Sequence, residues 1–249
     1  PVVDLVIPGN VDVISSYTFY GLETLKSLSI RDGVTKIGEA AFRYTTSLET
    51  VEFGNTLEHI GANAFGYSSI IKLVFPNSLK TLGKYAFERC EQLETINWST
   101  GMETVCENAF SYNGMLKDVN ISDLSAWCRV TFQGNSNPLN FSHRLSLNNE
   151  EILDLVIPED IEEIKDYAFE GCAGFKSVRI SDNVKTIGTH AFWFCSDIQT
   201  LHIGTGLNEL DLYKFGGSYE IKNLYIADGG ETISIISPDD WGDGWATPK

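Results

Sequence analysis

Basic residues are scarce in this chain. Its 249 residues hold 18 Lys and Arg against 34 Asp and Glu, a formal net charge of −16 at pH 7. A surface this acidic repels phosphate backbones, so no nucleic-acid partner is expected, and the charge instead favours solubility. Long apolar runs are also missing: none approaches the roughly 20 residues that a membrane-crossing helix needs, and no signal-peptide pattern is present. Histidine is limited to His59, His143, His190 and His202. None belongs to an H-E-x-x-H or has a neighbour at zinc-ligand spacing. His59 and His190 lie between strand and plug and read as solvated or capping positions. G-x-S-x-G, P-loop and dinucleotide fingerprints are lacking, so the sequence predicts neither a catalytic site nor a cofactor. Five cysteines cannot all pair, and without a C-x-x-C a zinc or thioredoxin-like reading has no support.

What the chain has is repetition. Phe19, Phe42, Phe65, Phe87 and Phe110 follow one another at steps of 23, 23, 22 and 23 residues, and Phe169, Phe192 and Phe215 at steps of 23. Such a period means one supersecondary unit stacked on copies of itself. In the unit ending at Phe42, Leu28 and Ile30 alternate with Ser27 and Ser29, the period-2 signal of a half-buried strand. Arg31-Asp32-Gly33 is turn chemistry. Val34 and Ile37 point inward, Ala41 is small enough for close packing between coils, and Phe42 is the apolar plug. One unit cannot bury its apolar side alone, whereas stacked units share a continuous core with strands in a parallel ladder.

Val34-Thr35-Lys36-Ile37-Gly38-Glu39-Ala40-Ala41-Phe42 and its copies, with Ala-Phe-x-x-Cys at Ala86–Cys90, Ala168–Cys172 and Ala191–Cys195, resemble the BspA-like (Treponema pallidum-type) leucine-rich repeat family. The resemblance extends to about Ile226. It implies a leucine-rich-repeat solenoid, a right-handed coil of about nine turns. It also implies a place on a bacterial surface or outside the cell, a lipid anchor outside this sequence being one form of attachment. Some members of the family are implicated in adhesion to host proteins or to other cells.

The expected organisation is a single solenoid over residues 1–249, with regular repeats at 9–122 and 159–226. Between Phe110 and Phe169 the step widens to 59, one ordinary period and one coil enlarged by 13 residues, placed at 123–158. There, Arg144–Leu147 and Ile152–Ile157 flank Asn148-Asn149-Glu150-Glu151 and read as a β-hairpin. Trp127 is expected to pack inward beside Val130 and Phe132. Asp154-Leu155-Val156-Ile157-Pro158 repeats Asp4-Leu5-Val6-Ile7-Pro8 at an offset of 150, which also relates Phe19 to Phe169. Residues 1–8 therefore read as a truncated hairpin strand, and the chain as starting inside a super-repeat. Residues ahead of Pro1, either a signal and anchor region or a preceding half-hairpin, are then expected. Residues 227–249 read as an atypical end or linker. Asp239, Asp240 and Asp243 there resemble a calcium loop only loosely, at the wrong spacing for an EF-hand. Cys172 and Cys195 should be neighbours in the stack, though a parallel ladder seldom offers disulfide geometry.

Outward ladder positions form two columns. One runs Ser27, Thr50, Lys72, Thr95, Asp118, Ser177, Thr200, Asn223, and the other Ser29, Glu52, Val74, Asn97, Asn120, Arg179, His202, Tyr225. Arg179, His202 and Tyr225 are the candidate ligand-contact residues, as the most site-like group on the ladder. A solenoid is a scaffold with a long face. The expected function is therefore non-catalytic: a surface-exposed or secreted interaction or adhesion module binding an extracellular protein or glycan along its sheet face. The alternative is a structural spacer that holds another domain away from the cell.

Overall fold

A computed structural model describes residues 1–216 and 221–228, together with the backbone of 234–236. The calcium-like acids Asp239, Asp240 and Asp243 lie outside the described residues. Short strands stack in parallel over about ten turns, with little helix. The main ladder comes in three segments. Asp4–Ile7, Ser27–Ile30 and Thr50–Glu52 form the first; Lys72–Val74, Thr95–Asn97, Asp118–Ile121 and Leu145–Leu147 the second; Asp154–Val156, Ser177–Ile180, Thr200–Ile203 and Asn223–Ile226 the third. Alternation sets their facing: Leu28 and Ile30 are buried, while Ser27 and Ser29 stay partly exposed.

The first break coincides with an irregularity in the sequence. Phe65 to Phe87 is the single 22-residue step, and the missing residue falls in the turn between Ser69 and Ile70, just ahead of Lys72–Val74. Thr50–Glu52 and Lys72–Val74 belong to different sheets, though Ile71 N still donates to Glu49 O at 3.2 Å.

A second ladder runs alongside the first. Val13–Ile14, Lys36–Ile37, His59–Ile60, Thr81–Leu82, Thr104–Val105 and Thr131–Phe132 make one six-stranded parallel sheet of two-residue strands. Glu163–Ile164 and Thr186–Ile187 resume it beyond the enlarged region.

The third side is a stack of turns around the plugs. Two left-handed residues flank every plug from Phe19 to Phe192, one two positions before and one two after: Ala40 (φ 50°) and Tyr44 (φ 61°) around Phe42, Tyr85 (57°) and Arg89 (52°) around Phe87. A left-handed L-residue costs about 1–2 kcal/mol. The gain is that alternate amides all point along the stack. Ala40, Phe42 and Tyr44 donate to the carbonyls of Ala62, Ala64 and Gly66 in the next coil, at 2.8, 2.8 and 2.9 Å. The plug rings lie parallel inside this stack. Phe42 and Phe65 are 5.2 Å apart at 5°, Phe65 and Phe87 5.3 Å at 3°, Phe192 and Phe215 4.8 Å at 2°. Phe19, on the first coil, is only partly buried.

The enlarged region differs from the sequence expectation in two ways. First, both coils across the 59-residue step are lengthened. Thr104 pairs with Thr131, a register of 27, which puts Asn137 at the plug position. Second, the hairpin partner of Leu145–Leu147 is Glu150–Glu151, with Leu147 opposite Glu150. Asn148 (φ 52°) and Asn149 (φ 68°) make a two-residue turn that sends the chain straight back. Asp154–Val156 is then a rung of the next ladder segment, Asp154 opposite Ser177. Asp4–Ile7 is likewise a rung, Asp4 opposite Ser27. The repeated pentapeptide thus marks two equivalent rungs, each burying alternate apolar residues against the next coil. Trp127 is fully buried, as its apolar company implied.

Candidate functional site

On the main ladder the three candidate residues stand in one row. Arg179 is opposite His202, and His202 opposite Tyr225, on successive strands. The His202 and Tyr225 rings stack at 4.7 Å and 13°. Arg179 and Tyr225 are exposed, and His202 is half-buried. Val156, itself exposed, extends the row on the other side of Arg179. The register therefore brings all three together, spaced by one rung each. They point outward in parallel and do not converge on a single atom.

A second surface carries most of the exposed aromatic side chains among the described residues, and ladder-based reasoning passed it over. Tyr20, Tyr44 and Tyr67 follow one another along the turn side, with ring separations of 5.5 and 4.6 Å. Two guanidinium groups lie among them. Arg43 sits 5.1 and 5.3 Å from the rings of Tyr44 and Tyr67, and Arg89 4.4 Å from that of Tyr112. Further along, His190, Trp193 and Tyr213 form another cluster, with Trp193 4.6 Å from His190 and 4.8 Å from Tyr213. His190 belongs to the left-handed turn column, whereas His59 lies in the second ladder and bonds Thr81 Oγ1 at 2.7 Å. The two histidines are not at equivalent places. The signal for the turn face was in the sequence: Tyr44, Tyr67 and Tyr112 stand two residues after their plugs. Applying the period to every position, and not only to the strand, reveals the column.

The cysteines are structural. Three residues after a plug, the side chain reaches back to the carbonyl of the preceding plug: Cys90 Sγ to Phe65 O at 3.3 Å, Asn113 Nδ2 to Phe87 O at 3.0 Å, Cys195 Sγ to Phe169 O at 3.1 Å. Cys172 is an unbridged thiol, so no disulfide joins it to Cys195. Burial pushes the Cys90, Cys128 and Cys172 thiols up to about 12, far from the range of a neutral-pH nucleophile. Among the described residues no group of three or more His, Cys, Asp or Glu side chains could hold a metal ion. No helix of the described residues is long and apolar enough to cross a membrane.

Comparison with known proteins fits this architecture. A search of curated proteins finds no match. Among solved structures, a leucine rich repeat protein of T. pallidum is 21% identical, over 79% of this chain and 78% of that one, at a TM-score of 0.50. A leucine rich cell surface protein from Faecalibacterium prausnitzii A2-165 is 17% identical, over 96% and 80% of the two chains, at a TM-score of 0.42. At 21% identity the likeness to the T. pallidum protein speaks to the fold alone. The model of the BspA type leucine rich repeat region matches in six copies, over residues 12–138 and 144–237. With the parallel ladders and stacked plugs in place, this chain belongs to that family.

Proposed function

We propose that this chain is a non-catalytic interaction or adhesion module, displayed on a bacterial surface or secreted, that binds an extracellular protein or glycan along its main ladder. The observation that carries the reading is register. Arg179, His202 and Tyr225 lie side by side on three successive strands, mixing a charge, an imidazole and an exposed ring. A row of outward groups suits an extended partner. Bond-making needs groups that converge within hydrogen-bond reach of one reacting atom, and this row diverges from that requirement. The location outside the cell follows from the family resemblance.

The test compares the chain with an Arg179→Ala/His202→Ala/Tyr225→Ala variant on immobilised matrix proteins and on a glycan array. Weak to moderate binding to a matrix protein or glycan that disappears in the variant is the expected outcome. If every ligand bound by the parent is still bound by the variant, this row is not the contact site. A spacer role is the second reading. It is favoured by outward ladder groups that satisfy one another, as Ser27 and Ser177 do in bonding Asp4 and Asp154. Full-length protein that binds none of the probes, and whose reach from the cell shortens as coils are deleted, supports that role.

A further inference from the structure

Where the turn column meets the enlarged coil, the surface opens into a cleft of about 640 Å³. That volume falls within the range of small-molecule sites, roughly 300–1,000 Å³. Its near side is made of turns around Phe65, Phe87 and Phe110; its far wall is Asn140 and Phe141, from the short helix Leu139–Ser142 of the enlarged coil. Without that coil the turn face would run on as an open stripe.

The lining mixes open rings with amides. Tyr112 is 59% exposed and Tyr85 36%. Asn135 and Asn108 are linked, Nδ2 to Oδ1 at 3.0 Å; Ser111 Oγ donates to the same Asn108 oxygen at 3.1 Å. Asn108 Nδ2 in turn reaches the Tyr85 hydroxyl at 3.4 Å. This network fixes donors and acceptors before a ligand arrives. Arg43 lines the same cleft, held 3.5 Å from Glu88, and its Nε is buried with no hydrogen-bond partner among the described residues.

We infer that this cleft is a carbohydrate site that takes a neutral oligosaccharide of hexose or N-acetylhexosamine residues, separate from the main ladder. A pyranose ring offers a C–H face and a rim of hydroxyls, each hydroxyl both donor and acceptor. Side-chain amides and a phenol match both roles. The Tyr112 ring, which carries Arg89 on one face at 4.4 Å and is 59% exposed, would accept the C–H face on its other side, supplying apolar area at little entropic cost. Charge argues for a neutral ligand: Arg43 is offset by Glu88, and a chain of net charge −16 repels acidic sugars.

The experiment is an array of neutral, sialylated and sulfated oligosaccharides, followed by saturation-transfer NMR at millimolar concentrations of the neutral members. Tyr112→Ala is expected to weaken neutral-glycan binding roughly tenfold or more, and Tyr112→Phe to retain it. Asn135→Gly keeps the left-handed φ of 53° accessible and tests the amide without straining the turn. Thermal unfolding of each variant controls for folding. The ladder triple variant should bind these sugars as the parent does, so failure of the ladder reading leaves this one standing. No binding to any neutral glycan, binding only to acidic ones, binding indifferent to Tyr112→Ala, or loss of sugar binding in the ladder triple variant would each overturn the inference. So would a protein ligand lost with Tyr112→Ala while sugars are ignored.

Discussion

The indole nitrogen of Trp127 donates to the carbonyl oxygen of Ala168 at 2.9 Å. Everywhere else in the regular stack that carbonyl position is served by the amide of the plug one coil earlier: Ala41 by Phe19, Ala109 by Phe87, Ala191 by Phe169. At the enlarged coil the plug position is Asn137, whose side-chain amide donates to Tyr167 O at 2.7 Å and to Ala168 O at 3.0 Å. Trp127, 5.0 Å from Trp98 and 5.1 Å from Phe132, fills the volume that a plug ring would occupy. Two side chains thus do together what one phenylalanine does elsewhere, its ring filling the core and its amide joining the coils.

This sharing predicts a coupled pair. Trp127→Phe leaves Ala168 O with the Asn137 donor, and Asn137→Leu leaves it with the indole. Each single change should cost about 1–3 kcal/mol. The double change strands a buried carbonyl and should exceed the sum of the singles by about 1 kcal/mol. Urea denaturation of the four proteins measures the cycle, and simple additivity would show that the two donors do not share the acceptor.

The plugs should differ by place in the column. Phe87→Ala removes a fully buried ring stacked between Phe65 and Phe110, and should cost about 3–5 kcal/mol. Phe19→Ala should cost clearly less, because that ring is only partly buried and stacks on one side, against Phe42. Equal losses for the two would contradict a column whose strength depends on neighbours.

Several of these features were legible in the sequence, and the reasons for the rest are physical. Phe42, Leu28 and Ile30 announce themselves because apolar residues recur against polar ones. The second ladder does not, since two-residue strands such as Lys36–Ile37 are too short to show alternation. Asn137 is hidden because a polar residue at a register of 27 breaks both the composition and the spacing of the plug. The left-handed columns are hidden too: alanine and tyrosine carry no local preference for that conformation, and the stack imposes it. On the ladder face, Arg179, His202 and Tyr225 could be aligned from the period alone. The cleft needed the path of the enlarged coil, which places Asn140 and Phe141 opposite Tyr85 and Tyr112.

Ala40 tests the left-handed column directly. Its φ is 50°, its amide bonds Ala62 O at 2.8 Å, and its methyl is nearly all the side chain it has to lose. Ala40→Gly should be neutral or stabilising by up to about 1 kcal/mol, since glycine adopts this conformation without penalty. Ala40→Val should be destabilising by more than that, because a β-branched residue there is a steric outlier. Melting temperatures in the reverse order would refute the assigned backbone.

The buried thiols predict a decline of stability at high pH. Burial raises Cys90, Cys128 and Cys172 from 9.0 to about 12. Because the folded value lies above the unfolded one, their contribution is fully present below about pH 9 and is lost as pH climbs toward 12. Replacing Cys90 and Cys172 by Ala should flatten that decline while costing some stability at pH 7. Alkylation at pH 8 gives an independent reading: half-buried Cys106 should react well before the three buried thiols.

The 22-residue step makes the least intuitive prediction. Inserting one residue into a folded stack ordinarily breaks register and destabilises the protein. Between Ser69 and Ile70 it should do the opposite. The neighbouring coils carry Ser47 and Gln92 at the missing position, in a surface turn, and the coil that lacks it leaves Lys72–Val74 and Thr50–Glu52 in different sheets. Adding a serine there restores the 23-residue period and lets the two strands, already joined by Ile71 N to Glu49 O at 3.2 Å, extend their pairing as Ser27–Ile30 does with Thr50–Glu52, with ladder hydrogen bonds worth about 0.5–1.5 kcal/mol each. The turn is on the surface, so the added loop residue costs little closure entropy. The same serine inserted between Gln92 and Leu93, where the period is already 23, should be destabilising. Hydrogen exchange should show slower amides at Lys72–Val74 in the first insertion alone. If both insertions destabilise equally, the ladder break has another origin than the short turn.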